Sequence, residues 1–173
     1  MKILALAASS SSTSINKQLA TYAAGLVAGA EVEALDINDY EMPIFSEDKE
    51  KELGQPEQAK AFFQKIGEAD AVVISYAEHN GSYSAAFKNV FDWTSRVDMK
   101  VYQGKPVIML ATSPGPGGAA TVLAAATGSA PYFAAEVKGS LSVPSFYDNF
   151  DIEKGELRNE ELIAELKTIM STL

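Results

Sequence analysis

Residues 69–82 read "ADAVVISYAEHNGS", and the change of character inside this stretch decides the fold. Its first half, "DAVVISY" at 70–76, is apolar and β-branched without strict alternation, the composition of a strand covered on both faces. A carboxylate, the single histidine of the chain, an amide and a glycine follow almost at once, where the Asn80-Gly81 pair alone would make a turn. The residues after it, "SAAFKNVFDWTSR" at 84–96, place Phe87, Val90, Phe91 and Thr94 at helical spacing. The unit is therefore buried strand, polar loop, amphipathic helix.

The same unit recurs in both directions. Towards the amino terminus, "KILALAA" at 2–8 is a short buried strand, and Thr13 or Ser14 offers an N-cap for a helix through about Ala28. Ile15, Leu19, Tyr22, Ala23 and Leu26 share one face of that helix at spacings of three and four. A second strand is expected near 31–36, "EVEALD". Residues 38–55 carry Pro43, a charge run and Gly54 and form a long excursion, and Pro56 suits the first turn of a helix over about 57–68. Beyond the central unit, "PVIMLAT" at 106–112 is another apolar strand, followed by "SPGPGG" and an alanine-rich helix, "AATVLAAATGS". A fifth strand is expected within 139–146, "GSLSVPSF", and Asn159 or a neighbour caps a last helix through Met170. Five strand-helix alternations predict one domain over 1–173, a parallel sheet with helices on both faces. In such sheets ligands bind outside the carboxyl ends of the strands. Loops 9–14, 77–82 and 113–118 fall at that edge.

Composition narrows the chemistry. At 173 residues, 47% hydrophobic and 21% charged, the chain has the profile of an ordinary globular domain. A formal charge of −9 repels polyanions, which argues against nucleic acid or an anionic membrane as partner. With no cysteine there is no thiolate nucleophile, and one histidine cannot make a histidine-based metal cluster, so metal-free chemistry is expected. The opening "MKILALAASSSS" imitates a short signal peptide, but its apolar run is too short to span a bilayer, and the recurring pattern makes it the first strand. The expected location is the cytoplasm.

The three loops differ in what they offer a ligand. "ASSSSTSIN" at 8–16 places five serines and one threonine at the start of a helix. There, free N–H groups and a partial positive charge hold a phosphate dianion without Lys or Arg. The plainer alternative is an N-cap followed by a solvated polar loop. No G-x-G-x-x-G and no G-x-x-x-x-G-K-[ST] is present, which favours a monophosphate over a dinucleotide or a nucleoside triphosphate. In "AEHNGS" the Asn80-Gly81 pair readily takes positive φ, leaving Ala77, Glu78 and His79 at the strand edge. His79 by itself is equally a surface or capping histidine. "SPGPGG" is nearly free of side chains and lets backbone approach a flat ring, or is a plain proline-glycine turn. A phosphate at one end and a flat polar heterocycle at the other is the outline of FMN.

These motifs resemble the NADPH-dependent FMN reductase family of flavodoxin-like proteins, over nearly the whole chain. The family's phosphate loop, Gly-Ser-x-Arg-x-x-Ser-x-Asn, is matched by Ser9, Ser14 and Asn16, with Ala8 replacing the glycine and Ser11 the arginine. Its signature Pro-Glu-Tyr-Asn-Gly-Ser, followed by Leu-Lys-Asn-x-x-Asp-Trp, is matched by Glu78, Asn80, Gly81, Ser82, Lys88, Asn89, Asp92 and Trp93, while Ala77 and His79 depart. "TSPGPGG" is similar to the Ser-x-Gly-x-x-Gly-Gly loop, through Ser113, Gly115 and Gly118. "MPIFSED" is similar to a stretch that approaches the subunit interface, or is a solvated acidic loop.

The resemblance implies a flavodoxin-like three-layer α/β/α sandwich with a five-stranded parallel sheet of order 2-1-3-4-5. It implies FMN held by Ser9, Ser11, Ser14, Ile15, Asn16, Ala77, Glu78, His79, Asn80, Gly81, Ser113, Pro114, Gly115 and Gly118. His79 would flank the ring, and no catalytic side chain is required. The implied activity is hydride transfer from NADPH or NADH to FMN, then to a small-molecule acceptor of the flavin, quinone or azo class, with ping-pong turnover. A homodimer or homotetramer is implied, and the helix of Phe87, Phe91 and Trp93 supplies either apolar subunit contacts or core. The alternatives are an FMN-binding electron carrier without nicotinamide-dependent activity and, more distantly, a phosphate-binding hydrolase or transferase.

Overall fold

A computed structural model describes residues 1–173. Five parallel strands form the central sheet: β1 (Lys2–Ala8), β2 (Glu31–Leu35), β3 (Ala71–Tyr76), β6 (Pro106–Thr112) and β7 (Glu136–Val143). Their spatial order is β2-β1-β3-β6-β7, which is 2-1-3-4-5 when only the sheet strands are counted. The register runs Leu6↔Ile74 between β1 and β3 and Ile74↔Met109 between β3 and β6, so the strand ends lie side by side.

The pleat sends alternate residues to opposite faces, which is why these strands are apolar throughout. Leu4, Leu6, Val72, Ile74, Val107 and Met109 face one core cluster, with Phe62 of α3 (Glu57–Glu68), Trp93 of α4 (Ala85–Val97) and Val122 of α5 (Ala120–Ser129). Ile3, Ala5, Val73, Ile108 and Leu110 face the other, with Leu19 and Ala23 of α1 (Ile15–Gly25) and Leu166 of α7 (Glu160–Met170). The result is the flavodoxin-like three-layer sandwich. No helix is long and apolar enough to cross a membrane.

Several boundaries differ from the sequence expectation. The first helix ends at Gly25 rather than near Ala28. The excursion at 38–55 contains a 3-10 turn, Ile37–Tyr40, and a short exposed helix, α2 (Glu47–Leu53), capped by Ser46. The fifth strand starts at Glu136 and stops at Val143, because Pro144 has no N–H for a ladder and Ser145 takes φ 45°. The chain then makes one helical turn, α6 (Phe146–Asn149), and a small hairpin of β8 (Phe150–Asp151) and β9 (Glu156–Leu157) that the sequence did not announce. Trp93 is fully buried and Phe87 nearly so, which makes them core and not subunit contacts.

The family-signature helix has a structural task. Asn89 Nδ2 donates to the carbonyls of Met42 and Pro43, its Oδ1 accepts from Phe45 N–H, and Trp93 Nε1 donates to Pro43 O at 2.7 Å. These bonds pin residues 42–45 against α4. Ser84 Oγ ties the start of the same helix to the end of β1 by donating to Ala8 O at 2.9 Å.

Candidate functional site

The loops after β1, β3 and β6 converge on a cleft of ≈ 270 Å³ at the carboxyl edge of the sheet. Ser9, Ser11, Ser14, Ile15, Asn16, Ala77, Glu78, His79, Ser113 and Pro114 line it, all of them sequence candidates. Thr13, part of the hydroxyl-rich loop, joins them, and so do Thr112 and Tyr147, which were not anticipated. Asn80, Gly81, Gly115 and Gly118 are not part of its wall.

In the first wall the serine run folds back through its own hydroxyls. Ser9 Oγ accepts from Ser11 N–H at 3.2 Å, Ser11 Oγ from Thr13 N–H at 3.3 Å, and Ser14 Oγ caps α1 by accepting from Lys17 N–H at 3.2 Å. The N–H groups of Ile15 and Asn16 open the helix and have no carbonyl four residues back within it. They and the helix dipole give this end its positive character. The Asn16 side chain is directed elsewhere. Its Oδ1 accepts from Ser75 Oγ at 2.7 Å and from Thr112 N–H at 3.1 Å, while Nδ2 donates to Thr112 O at 3.3 Å.

The second wall is a hairpin of β4 (Glu78–His79) and β5 (Ser82–Tyr83). Asn80 and Gly81 form its turn with φ of 52° and 76°, the pair of positive values that a tight two-residue turn matched to strand twist requires. This sets His79 at the cleft with an exposed ring. Glu78 performs a task invisible in its local sequence: Oε2 accepts from Val122 N–H at 2.8 Å, capping α5 from outside.

The third wall is braced from behind. Phe146 N–H donates to Ser113 O at 3.0 Å and Ser145 N–H to Gly115 O at 2.9 Å, so the segment after β7 holds the glycine-rich loop and brings Tyr147 to the cleft. Gly118 has φ 58°, and a Cβ there would collide with Ser142 Oγ and stand 3.0 Å from Pro144 N. The missing side chain allows close packing against β7 and Pro144. The only sequence signal for Tyr147 is its place just past the last sheet strand, at the same carboxyl edge.

No Lys or Arg lines the cleft. The nearby Lys17 is held by Asp36 at 3.0 Å. The Asn38 N–H, and after it the Lys17 ammonium, keep the Asp36 carboxyl below the usual carboxylate range despite partial burial. An anion at this end must therefore be met by amides, hydroxyls and the helix dipole.

The family model for NADPH-dependent FMN reductases matches residues 1–148. The NAD(P)H-dependent FMN reductase PA1204 of Pseudomonas aeruginosa is 35% identical over 116 residues, 66% of this chain and 61% of that protein. The 2-hydroxy-1,4-benzoquinone reductase of a Burkholderia species is 36% identical over 117 residues, 66% of this chain and 62% of that protein. The aligned region thus spans about three fifths of the length of these relatives. Among solved structures, the flavoenzyme NAD(P)H:(acceptor) oxidoreductase FerB of Paracoccus denitrificans superposes with a TM-score of 0.75 at 24% identity, covering 98% of this chain and 93% of that one. An azoreductase of Bacillus anthracis gives 0.62 at 17% identity, covering 99% and 97%. The two structures share the fold. The family match reaches from the first strand to the segment that braces the third loop, and on that ground the chain belongs to the NADPH-dependent FMN reductase family.

Proposed function

We propose that this protein is an FMN-dependent NAD(P)H oxidoreductase that passes electrons to a small-molecule acceptor of the flavin, quinone or azo class. The observation that carries the reading is the joining of three separate loops into one cleft. The loop after β1 contributes the Ser9, Ser11, Thr13 and Ser14 hydroxyls and the amides that open α1, a donor set suited to a phosphate dianion. The remaining segments contribute Ala77, Ser113 and Pro114 with the rings of His79 and Tyr147, a set suited to a flat polar heterocycle. The residues present fit FMN. When bound, it would supply the redox chemistry, relaying two electrons from the nicotinamide to the acceptor.

The side chains of this protein bind and orient. Glu78 fixes the hairpin to α5, Asn16 fixes α1 to the strand ends, and neither has to move a proton. Departure of the nicotinamide before the acceptor binds gives ping-pong kinetics. A homodimer or homotetramer in the cytoplasm completes the reading. Its support is the exposed Ile44, at 85%, on the segment pinned by Asn89, together with Tyr132 at 83%.

A second reading, an electron carrier that docks on a basic partner, draws on the net charge of −9 and the lack of a cation at the cleft. Binding is tested by quenching of FMN fluorescence with Ser11→Asp. The new carboxylate can still accept from Thr13 N–H, so the loop survives, but it faces the phosphate. We expect FMN affinity to fall at least about tenfold, since like charges a few ångströms apart repel by more than that at a partly screened surface. Unchanged affinity would place the phosphate elsewhere.

A further inference from the structure

A second cavity, of ≈ 250 Å³, shares no wall residue with the cleft. It lies between α4 and α5, where β3 ends, and it is built from rings: Phe87, Phe91, Phe133, Tyr76 and Tyr102 among others. Those rings meet one another edge-on or tilted, Phe91 against Phe133 at 4.8 Å and Tyr76 against Phe87 at 5.5 Å between centroids. Ala126 and Ala130 supply small side chains where larger ones would close the space. The ion-paired Lys88 and Asp92 of α4 also line it and are partly solvent-facing, which places the mouth there.

The chemistry of the cavity is set by two hydroxyls. Tyr76 is 1% exposed and Tyr102 5%, and their oxygens lie 3.2 Å apart. Each hydroxyl has the other as its only hydrogen-bond partner. Two hydroxyls carry two O–H donors, and a single bond between them uses one. The hydrogen of the accepting tyrosine is left without a protein acceptor at a largely apolar wall, where an unmatched donor is costly. Burial pushes both phenols above their ordinary range, so both stay protonated donors at neutral pH.

We propose that this cavity binds a small flat aryl ketone, with its carbonyl oxygen accepting from the Tyr76–Tyr102 pair. Size selects the class. An apolar cavity of about 150 Å³ holds benzene, so this one has room for a single ring with a short substituent. Away from the Lys88–Asp92 mouth the walls are mainly rings and alanines, and the buried tyrosine pair keeps one O–H free, which matches a molecule that is apolar except for one acceptor oxygen. The proposal stands independently of FMN binding, because the two sites have no wall residue in common.

The test uses acetophenone, which carries the oxygen and does not draw electrons from a flavin under these conditions, against ethylbenzene, which has the same shape without it. Methyl signals of Ala126 and Ala130 are followed by NMR in the wild-type protein, with and without FMN. We expect both methyls to shift saturably with acetophenone in both states, with affinity about fivefold tighter than for ethylbenzene, the ratio that one net hydrogen bond gives. In the Tyr76→Phe/Tyr102→Phe double variant the methyls still shift but the ratio falls to about one. No saturable shift at either methyl, or a shift abolished by FMN, overturns the cavity as a separate site. Equal wild-type affinity for the two compounds overturns the role of the tyrosine pair. Both of these readouts are available without any variant.

Discussion

Asn16 shows how far a residue's role can lie from its motif. The sequence pattern places it in the phosphate loop, and it does stand at the cleft, yet its amide is spent on joining α1 to β3 and β6. Replacing it by leucine strands the Ser75 hydroxyl and the Thr112 N–H in the interior, since both are buried. Each unmatched donor costs about 1–3 kcal/mol, so Asn16→Leu is expected to lower unfolding stability by about 2–4 kcal/mol in a urea titration; a loss under about 1 kcal/mol would deny the clamp. Glu78 gives the same lesson. Its position was legible and its partner was not, because Val122 lies 44 residues away and no local pattern encodes a cap delivered by another loop.

At the scale of elements, the hairpin and the glycine-rich loop both rest on glycines, for different reasons. Gly81 has φ 76° and open space around it, so Gly81→Ala meets only left-handed strain, about 1 kcal/mol. Gly118 has the same kind of φ and in addition the Ser142 and Pro144 atoms in its way, so Gly118→Ala is expected to cost about 2–4 kcal/mol. Equal losses in thermal or urea unfolding would contradict the packing role of Gly118. The edge of β2 carries a pH-sensitive contact of its own. Asp36, whose carboxyl is depressed by Asn38 N–H and Lys17, adds stability above the ordinary carboxylate range, and that gain is lost as pH falls through its folded-state value. Asp36→Asn should therefore be less stable than wild type at pH 7, with the gap closing below about pH 4; a gap that stays constant with pH would rule this out. The five sheet strands, helices α1, α3, α4, α5 and α7, and the turn at 80–81 were legible because local composition and period specify them. The end of β7, the one-turn helix and the β8–β9 hairpin were not, since Pro144 and a buried Phe146 had to be read against a partner surface that the sequence does not display.

Over the whole molecule, one sheet with two buried faces brings the ends of β1, β3 and β6 level, and this is what turns three separate loops into one cleft. The order of the strands and the position of the cleft could be expected from the alternation and the family resemblance together. Tyr147 could not, because it enters from the carboxyl-terminal side of the last sheet strand, outside every motif. Whether this cleft holds FMN and presents it to a nicotinamide is decided by an anaerobic titration of the FMN-reconstituted protein with NADPH and, separately, NADH, after removal of unbound flavin. Rapid bleaching of the bound flavin's visible absorption, at one equivalent of nicotinamide per flavin, is the expected result. Flavin that stays bound but oxidised with both nucleotides would contradict the oxidoreductase reading in favour of a carrier, and failure to retain flavin at all would contradict the assignment of the cleft.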